Sequence, residues 1–257
     1  MILQEALDFY NYSAIAVLVT GILSLLISFF LLQQFYLKKN LYKLHIALLV
    51  LFNGVNMCVR YFRLMDDSTV LYIVCNWLQV ITILSFEWVQ YDLLKLVCVA
   101  SSFWTARRVL VFKFTILLVT LIGFIGFLCA RVTFTPGNGD IMDKWNRFGS
   151  TAVTALAQAC SLSQGVYMTF LMKSLCLLKD KSRSDYDKYV KRSYWLLGYF
   201  VISNVFCVLA YLIGVGIRGE AGTSNGLNYH SFSSLSVICF SNQILGLAFL
   251  FESIKMM

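Results

Sequence analysis

The chain breaks into apolar stretches of about 20 residues, the length of helix that crosses the hydrocarbon core of a bilayer, and this pattern limits the fold more than any other feature. In lipid, the backbone of such a stretch can satisfy its N–H and C=O groups only internally, so each one reads as a helix. Seven spans are placed, at residues 13–35, 44–64, 71–98, 114–132, 151–177, 194–217 and 232–253. Composition agrees. The 257 residues are 59% hydrophobic and 13% charged, whereas a soluble domain is about 25% charged; the mean hydropathy is +0.74. The expected fold is all-α: a single seven-helix transmembrane bundle over residues 1–257, not a soluble globule.

The run at 71–98 is unlike the others. It carries Asn76, Gln79, Glu87, Gln90, Asp92 and Lys95, and no other run has an acid near its middle. At 100° per residue, Asn76, Gln79, Glu87 and Gln90 fall within an arc of about 80°. A polar stripe of this kind turns inward in lipid, toward other helices or a water-filled cavity. Glu87 sits about 4 Å from the midpoint of the run. A bare carboxylate there is costly, so it is paired or protonated. It reads as a functional site, with a hydrogen bond between helices as the plainer alternative. Asp92 and Lys95 lie on another face, spaced to pair near the end of the run.

Fourteen of the 21 Lys and Arg fall in alternate loops, near 38–43, 107–113 and 173–192, and in the tail at Lys255. The excess of basic residues on one side places those loops in the cytoplasm, with the N-terminus outside and the C-terminus inside. The net charge of +8 then reflects orientation and contact with anionic lipid rather than nucleic acid. Lys179, Lys181, Arg183, Lys188, Lys191 and Arg192 alternate with Asp180, Asp185 and Asp187 in the longest charged segment. That segment is either a docking surface for a cytosolic signalling partner or a solvated charge run. The helices on either side of it are expected to extend into the cytoplasm.

The first twelve residues hold Glu5 and Asp8 and lack the basic start of a signal peptide. Asn11-Tyr12-Ser13 fits a glycosylation sequon but lies against the first span. Residues 218–230, rich in Gly, Ser and Asn, read as a flexible loop. The eight cysteines form no CxxC and no metal-binding spacing, and read mainly as small buried hydrophobes.

Other spans carry inward-facing polar candidates: Asn53 and Asn56 in the second, Gln158 in the fifth, Asn204 in the sixth and Asn242 in the seventh. Hydrogen bonding between helices explains most of them. The sharper reading is a polar cavity centred on Glu87 and lined by Asn56, Gln158, Asn204 and Asn242, with Asn76, Gln79 and Gln90 on the same stripe. Arg60 and Arg63, near the outer end of the second span, either receive an anionic ligand or pair with Asp66 and Asp67; pairing is the expectation. An enzyme is not expected. The two histidines, His45 and His230, are placed on opposite membrane faces about 30 Å apart, too far to share a metal or serve one nucleophile. No cofactor or metal is implied.

Seven spans, an outside N-terminus and basic inner loops resemble the plan of G-protein-coupled receptors over nearly the whole chain. The family's Asp/Glu-Arg-Tyr at the end of the third span is replaced by Tyr91-Asp92-Leu93-Leu94-Lys95. Its Asn-Pro-x-x-Tyr is replaced by Asn242-Gln243, with Leu245 at the Tyr position. Cys75 stands where the usual bridge begins, but residues 133–149 hold no cysteine. The resemblance implies a small ligand or lipid bound within the bundle and signalling through the inner loops, in the plasma membrane or an endomembrane. A small carrier using Glu87, or a membrane scaffold, are the other classes the pattern allows. Asn56-Met57-Cys58-Val59 loosely echoes Asn204-Val205-Phe206-Cys207, and Gly21, Gly54, Gly165 and Gly198 offer the helix breaks a carrier uses.

Overall fold

The computed structural model describes residues 2–38, 41–66, 69–97, 184–217 and 223–255, with scattered positions between 105 and 122. Five α-helices result: α1 (Ile2–Lys38), α2 (Leu41–Met65), α3 (Thr69–Val97), α4 (Ser184–Gly216) and α5 (Ser224–Lys255). Four of them contain stretches long and apolar enough to cross a membrane, at Leu3–Leu37, Leu41–Met65, Tyr194–Gly216 and Ser224–Phe249. The described chain is therefore all-helical, and its spans are those of an integral membrane protein. The expected span at 151–177, and that at 114–132 apart from scattered positions, lie outside the described residues.

α1, α4 and α5 start well before their apolar runs; for α4, which begins at Ser184, this extension is the expected one. α1 begins at Ile2, so residues 2–12, ahead of the expected span, form its first turns. Glu5 favours the positive end of the helix dipole there. Gln4 Nε2 donates to Asp8 Oδ1 at 3.0 Å, and Phe9 packs edge-on against Phe232 at 5.5 Å. Part of the loop expected to be flexible is likewise the start of α5. Thr223 caps it: its Oγ1 accepts from the Gly226 amide at 3.1 Å, and its carbonyl from the Leu227 amide at 3.0 Å. Only residues 39–40 separate α1 from α2, so Lys43 stands in the first turn of α2 and is buried, its Nζ donating to Gln34 Oε1 at 3.0 Å.

Side-chain contacts fix the helix directions. The Tyr10 hydroxyl donates to the Leu64 carbonyl, and Lys43 meets Gln34, so α1 and α2 are antiparallel. Asn56 meets Cys75, and His45 meets Trp88, so α3 runs back along α2. Cys207 meets Ser236, and Gly246 approaches Tyr199, so α4 and α5 are antiparallel. Phe9 touches Phe232, and Ser24 faces Ser241, so α1 and α5 are parallel neighbours. Helices α1, α3 and α5 thus point one way and α2 and α4 the other.

Among the described helices, α2 and α5 are the more enclosed; half or more of their spanning stretches is buried, against 28% for α1 and α4. The main core lies in the half away from the α1 N-terminus and joins Ile46, Leu49 and Val50 of α2, Phe86 and Val89 of α3, Leu197 and Phe200 of α4, and Ile244 and Leu247 of α5. Phe86 is its keystone, stacked on Phe200 at 6.3 Å and edge-on to Phe240 at 5.1 Å. Outward faces carry large exposed apolar side chains, among them Phe29, Phe30, Trp195 and Phe206, as lipid contact requires.

Candidate functional site

The interior polar groups are arranged in layers along the bundle. The layer nearest the α1 N-terminus is built on Arg60, which is 8% exposed. Its Nη2 donates to Ser233 Oγ of α5 at 2.7 Å, and its Nη1 to Gln79 Oε1 of α3 at 3.4 Å. The expected pairing of Arg60 with Asp66 does not form; Asp66 is exposed at the end of α2, and Asp67 lies outside the described residues. Arg60 falls on the face of α2 that looks into the bundle, with Asn53, Asn56 and Met57. It reaches α3 and α5 from there instead of snorkelling outward. One turn deeper, the Cys75 thiol faces Asn56 Oδ1 at 3.7 Å.

The next layer joins three helices. Asn53 Nδ2 donates to Ser241 Oγ at 2.6 Å and to Ser24 Oγ at 3.2 Å, and the two hydroxyls face one another at 3.5 Å. All three side chains are fully buried. Close to this level, α4 contributes Asn204. It lies one turn from Cys207, whose thiol donates to the Ser236 carbonyl at 3.2 Å while the Ser236 hydroxyl donates to the Cys207 carbonyl at 3.1 Å. Asn204 is 0% exposed, and among the described residues neither atom of its amide has a hydrogen-bond partner. Asn53 Oδ1 is in the same state. Unsatisfied buried amides are costly.

Glu87 and Gln90 are buried on α3, at 5% and 0% exposure, as their place on the polar stripe predicts; Gln79, on the same stripe, is half-buried and engaged by Arg60. The side chain of Asn76 is outside the described set. Trp88, the neighbour of Glu87, lines a pocket of about 280 Å3 between α2 and α3 with His45, Leu48, Phe52, Leu84 and Ser85. Asn56 is not at the Glu87 level. It meets Cys75, twelve residues earlier, or about 18 Å along the α3 axis at 1.5 Å per residue. Asn242 is half-buried beside Ser241, and Gln158 lies outside the described residues. Of the basic segment, Lys188, Lys191 and Arg192 stand on the first turns of α4, with Lys191 exposed; Lys179, Lys181 and Arg183 lie outside the described residues.

Sequence reading did not single out Ser24 or Ser233. Ser24 had a visible signal: Gly21, Ser24 and Ser28 repeat at three and four residues on one face of α1, a small-residue stripe that permits close helix approach. Ser24 and Ser28 are both fully buried. Ser233 had none, being one of several serines in its run.

Four described thiols, Cys58, Cys75, Cys207 and Cys239, are free. Among the described residues, no three His, Cys, Asp or Glu side chains group closely enough to hold a metal. Comparison with protein-family models, with curated proteins and with solved structures finds no match.

Proposed function

We propose that this is a receptor-like, seven-span membrane protein that binds a small molecule inside its bundle and relays binding through the N-terminal end of α4. The observation that carries the reading is Asn204. A fully buried amide on a membrane-spanning helix, unsatisfied among the described residues, stands level with the Asn53–Ser241 contact, with Glu87 and Gln90 also buried inside the bundle. A polar ligand or its water would satisfy the Asn204 amide, for which the described residues provide no partner.

Topology supports the reading. The end of α3 and the start of α4 lie at the same end of the bundle, so a pair of crossings between them, as expected at 114–132 and 151–177, keeps every helix in direction. The basic loops then face the cytoplasm and the α1 N-terminus faces outward, in the plasma membrane or an endomembrane. Ligand binding would shift the inner end of α4, where Lys188, Lys191 and Arg192 continue the basic segment from Lys179, Lys181 and Arg183, toward a cytosolic partner or anionic lipid.

The carrier reading rests on Glu87. Against it, α1, α2 and α4 run unbroken through Gly21, Gly54 and Gly198, where a carrier of the usual kind interrupts its helices near the midplane. The test is proton and tracer flux in reconstituted vesicles, intact chain against Glu87→Gln. No flux from either is the expected result. Flux in the intact chain that disappears in the variant makes the protein a carrier and overturns the receptor reading.

A further inference from the structure

Arg60 is a permanent cation inside the protein, and its hydrogen-bond partners among the described residues are neutral. Guanidinium stays protonated at any accessible pH and presents five N–H donors. Ser233 and Gln79 take two of them, and Nε–H has no partner among the described residues. Hydrogen bonds to a hydroxyl and an amide satisfy donors but bring no counter-charge, and a buried charge without one is costly. No described carboxylate forms an ion pair with Arg60. Glu5, Asp8 and Asp66 are exposed, and Glu87 lies eight residues past Gln79, about 12 Å along α3. The electrostatic neighbours of Arg60 are the Cys75 thiol, Tyr229 and a second cation, Arg63, one turn along α2.

We propose that Arg60 anchors an oxyanion subsite, taking a carboxylate or phosphate group between α2, α3 and α5 at the end of the bundle where α1 begins. A planar guanidinium engages such a group through two parallel N–H bonds, which neutral partners cannot imitate. Ser233 and Gln79 hold the fork in place. Tyr10, Tyr229 and His230 stand together at the same end, with ring centroids 6.4 Å apart for Tyr10 and His230 and 5.2 Å for Tyr229 and His230. They would pack against the body that bears the anion. The inference rests on the proposed function only in taking the bundle interior as open to a ligand, and it needs neither signalling nor a cytosolic partner.

The test uses the full chain in nanodiscs of zwitterionic phosphatidylcholine. Unfolding temperature is measured in inorganic phosphate and in acetate, against chloride at equal ionic strength. A rise of about 2–4 °C in phosphate or acetate is expected for the intact chain. Arg60→Gln should lose the response, and Arg60→Lys, with charge but no fork, should keep only part of it. A second arm replaces part of the lipid with phosphatidylglycerol and adds no soluble anion. A rise there that needs Arg60 identifies a lipid headgroup as the source, and a rise only with soluble anion identifies a dissolved ligand. Phosphorus NMR line broadening of phosphate by the intact chain provides a readout that needs no variant, should Arg60→Gln fail to fold. An intact chain indifferent to phosphate, acetate and phosphatidylglycerol alike overturns the proposal, and its counter-charge is then a carboxylate of the chain itself. A response that survives in Arg60→Gln also overturns it. Flux through the vesicles is independent of all these readings, so this proposal and the receptor reading fail separately.

Discussion

Asn53 donates both hydrogens of its amide, one to Ser24 on α1 and one to Ser241 on α5, and so ties three helices at one point. Hydrogen bonds between membrane helices are worth about 0.6 kcal/mol on average and up to about 1.7, so Asn53→Leu should cost about 1–3 kcal/mol in a detergent unfolding titration. The Ser241→Ala cost should largely vanish when Asn53 is already Leu, because the two share the shorter bond. An Asn53→Leu protein as stable as the parent would show that the cluster is packing without binding energy. A second residue-scale expectation concerns Asn11. It lies inside α1, and the Ser13 hydroxyl of its sequon is 3% exposed and donates to the Tyr10 carbonyl at 2.8 Å. Glycan transfer needs a loop that can leave the surface, so Asn11→Gln should leave electrophoretic mobility unchanged in a glycosylating host.

At the scale of helices, glycine sets how close they come. A Cβ on Gly21 would stand 3.1 Å from the Cys58 amide nitrogen, and one on Gly54 would stand 3.0 Å from that of Leu25. These are backbone atoms, so α1 and α2 would have to part, and Gly21→Ala or Gly54→Ala should destabilise by about 1–3 kcal/mol. Gly198→Ala meets nothing within 4 Å and should be neutral or slightly stabilising, through helix propensity. Equal costs at all three sites would remove close approach as the explanation. The helices themselves were legible because apolar length dictates them. Their polar ends were not: residues 2–12 and 224–231 become helical through a dipole-favouring Glu5, the Phe9–Phe232 contact and the Thr223 cap, none of which hydropathy registers. The α3 stripe was legible from 3.6-residue spacing, and Glu87 and Gln90 are buried as it requires. The partners were not. Whether Arg60 meets Asp66, just past the end of its own helix, or Ser233 on another depends on register between α2 and α5, and no local pattern encodes that register.

Over the whole molecule, the alternating directions make a checkable statement about sides. Asp66 follows α2, Thr223 precedes α5, and Lys191 is near the start of α4; all three are exposed. Cysteines placed at 66 and 223 should react together with a membrane-impermeant thiol reagent on intact cells, and one at 191 only after permeabilisation. Reaction of 191 with the other two would contradict the helix order. The parallel pairing of α1 with α5 has a consequence for how the protein is made. Ser24 and Asn53 enter the bilayer early in translation, and the hydroxyl that completes their cluster is encoded 188 residues after Asn53. At about 5–20 residues per second, the first hairpin waits roughly 10–40 s for it. During that interval, two polar side chains sit in lipid or against the insertion machinery without their final partner. A ribosome that stalls before α5 would therefore leave every earlier helix made, with Asn53 and Ser24 still lacking the hydroxyl that completes their cluster.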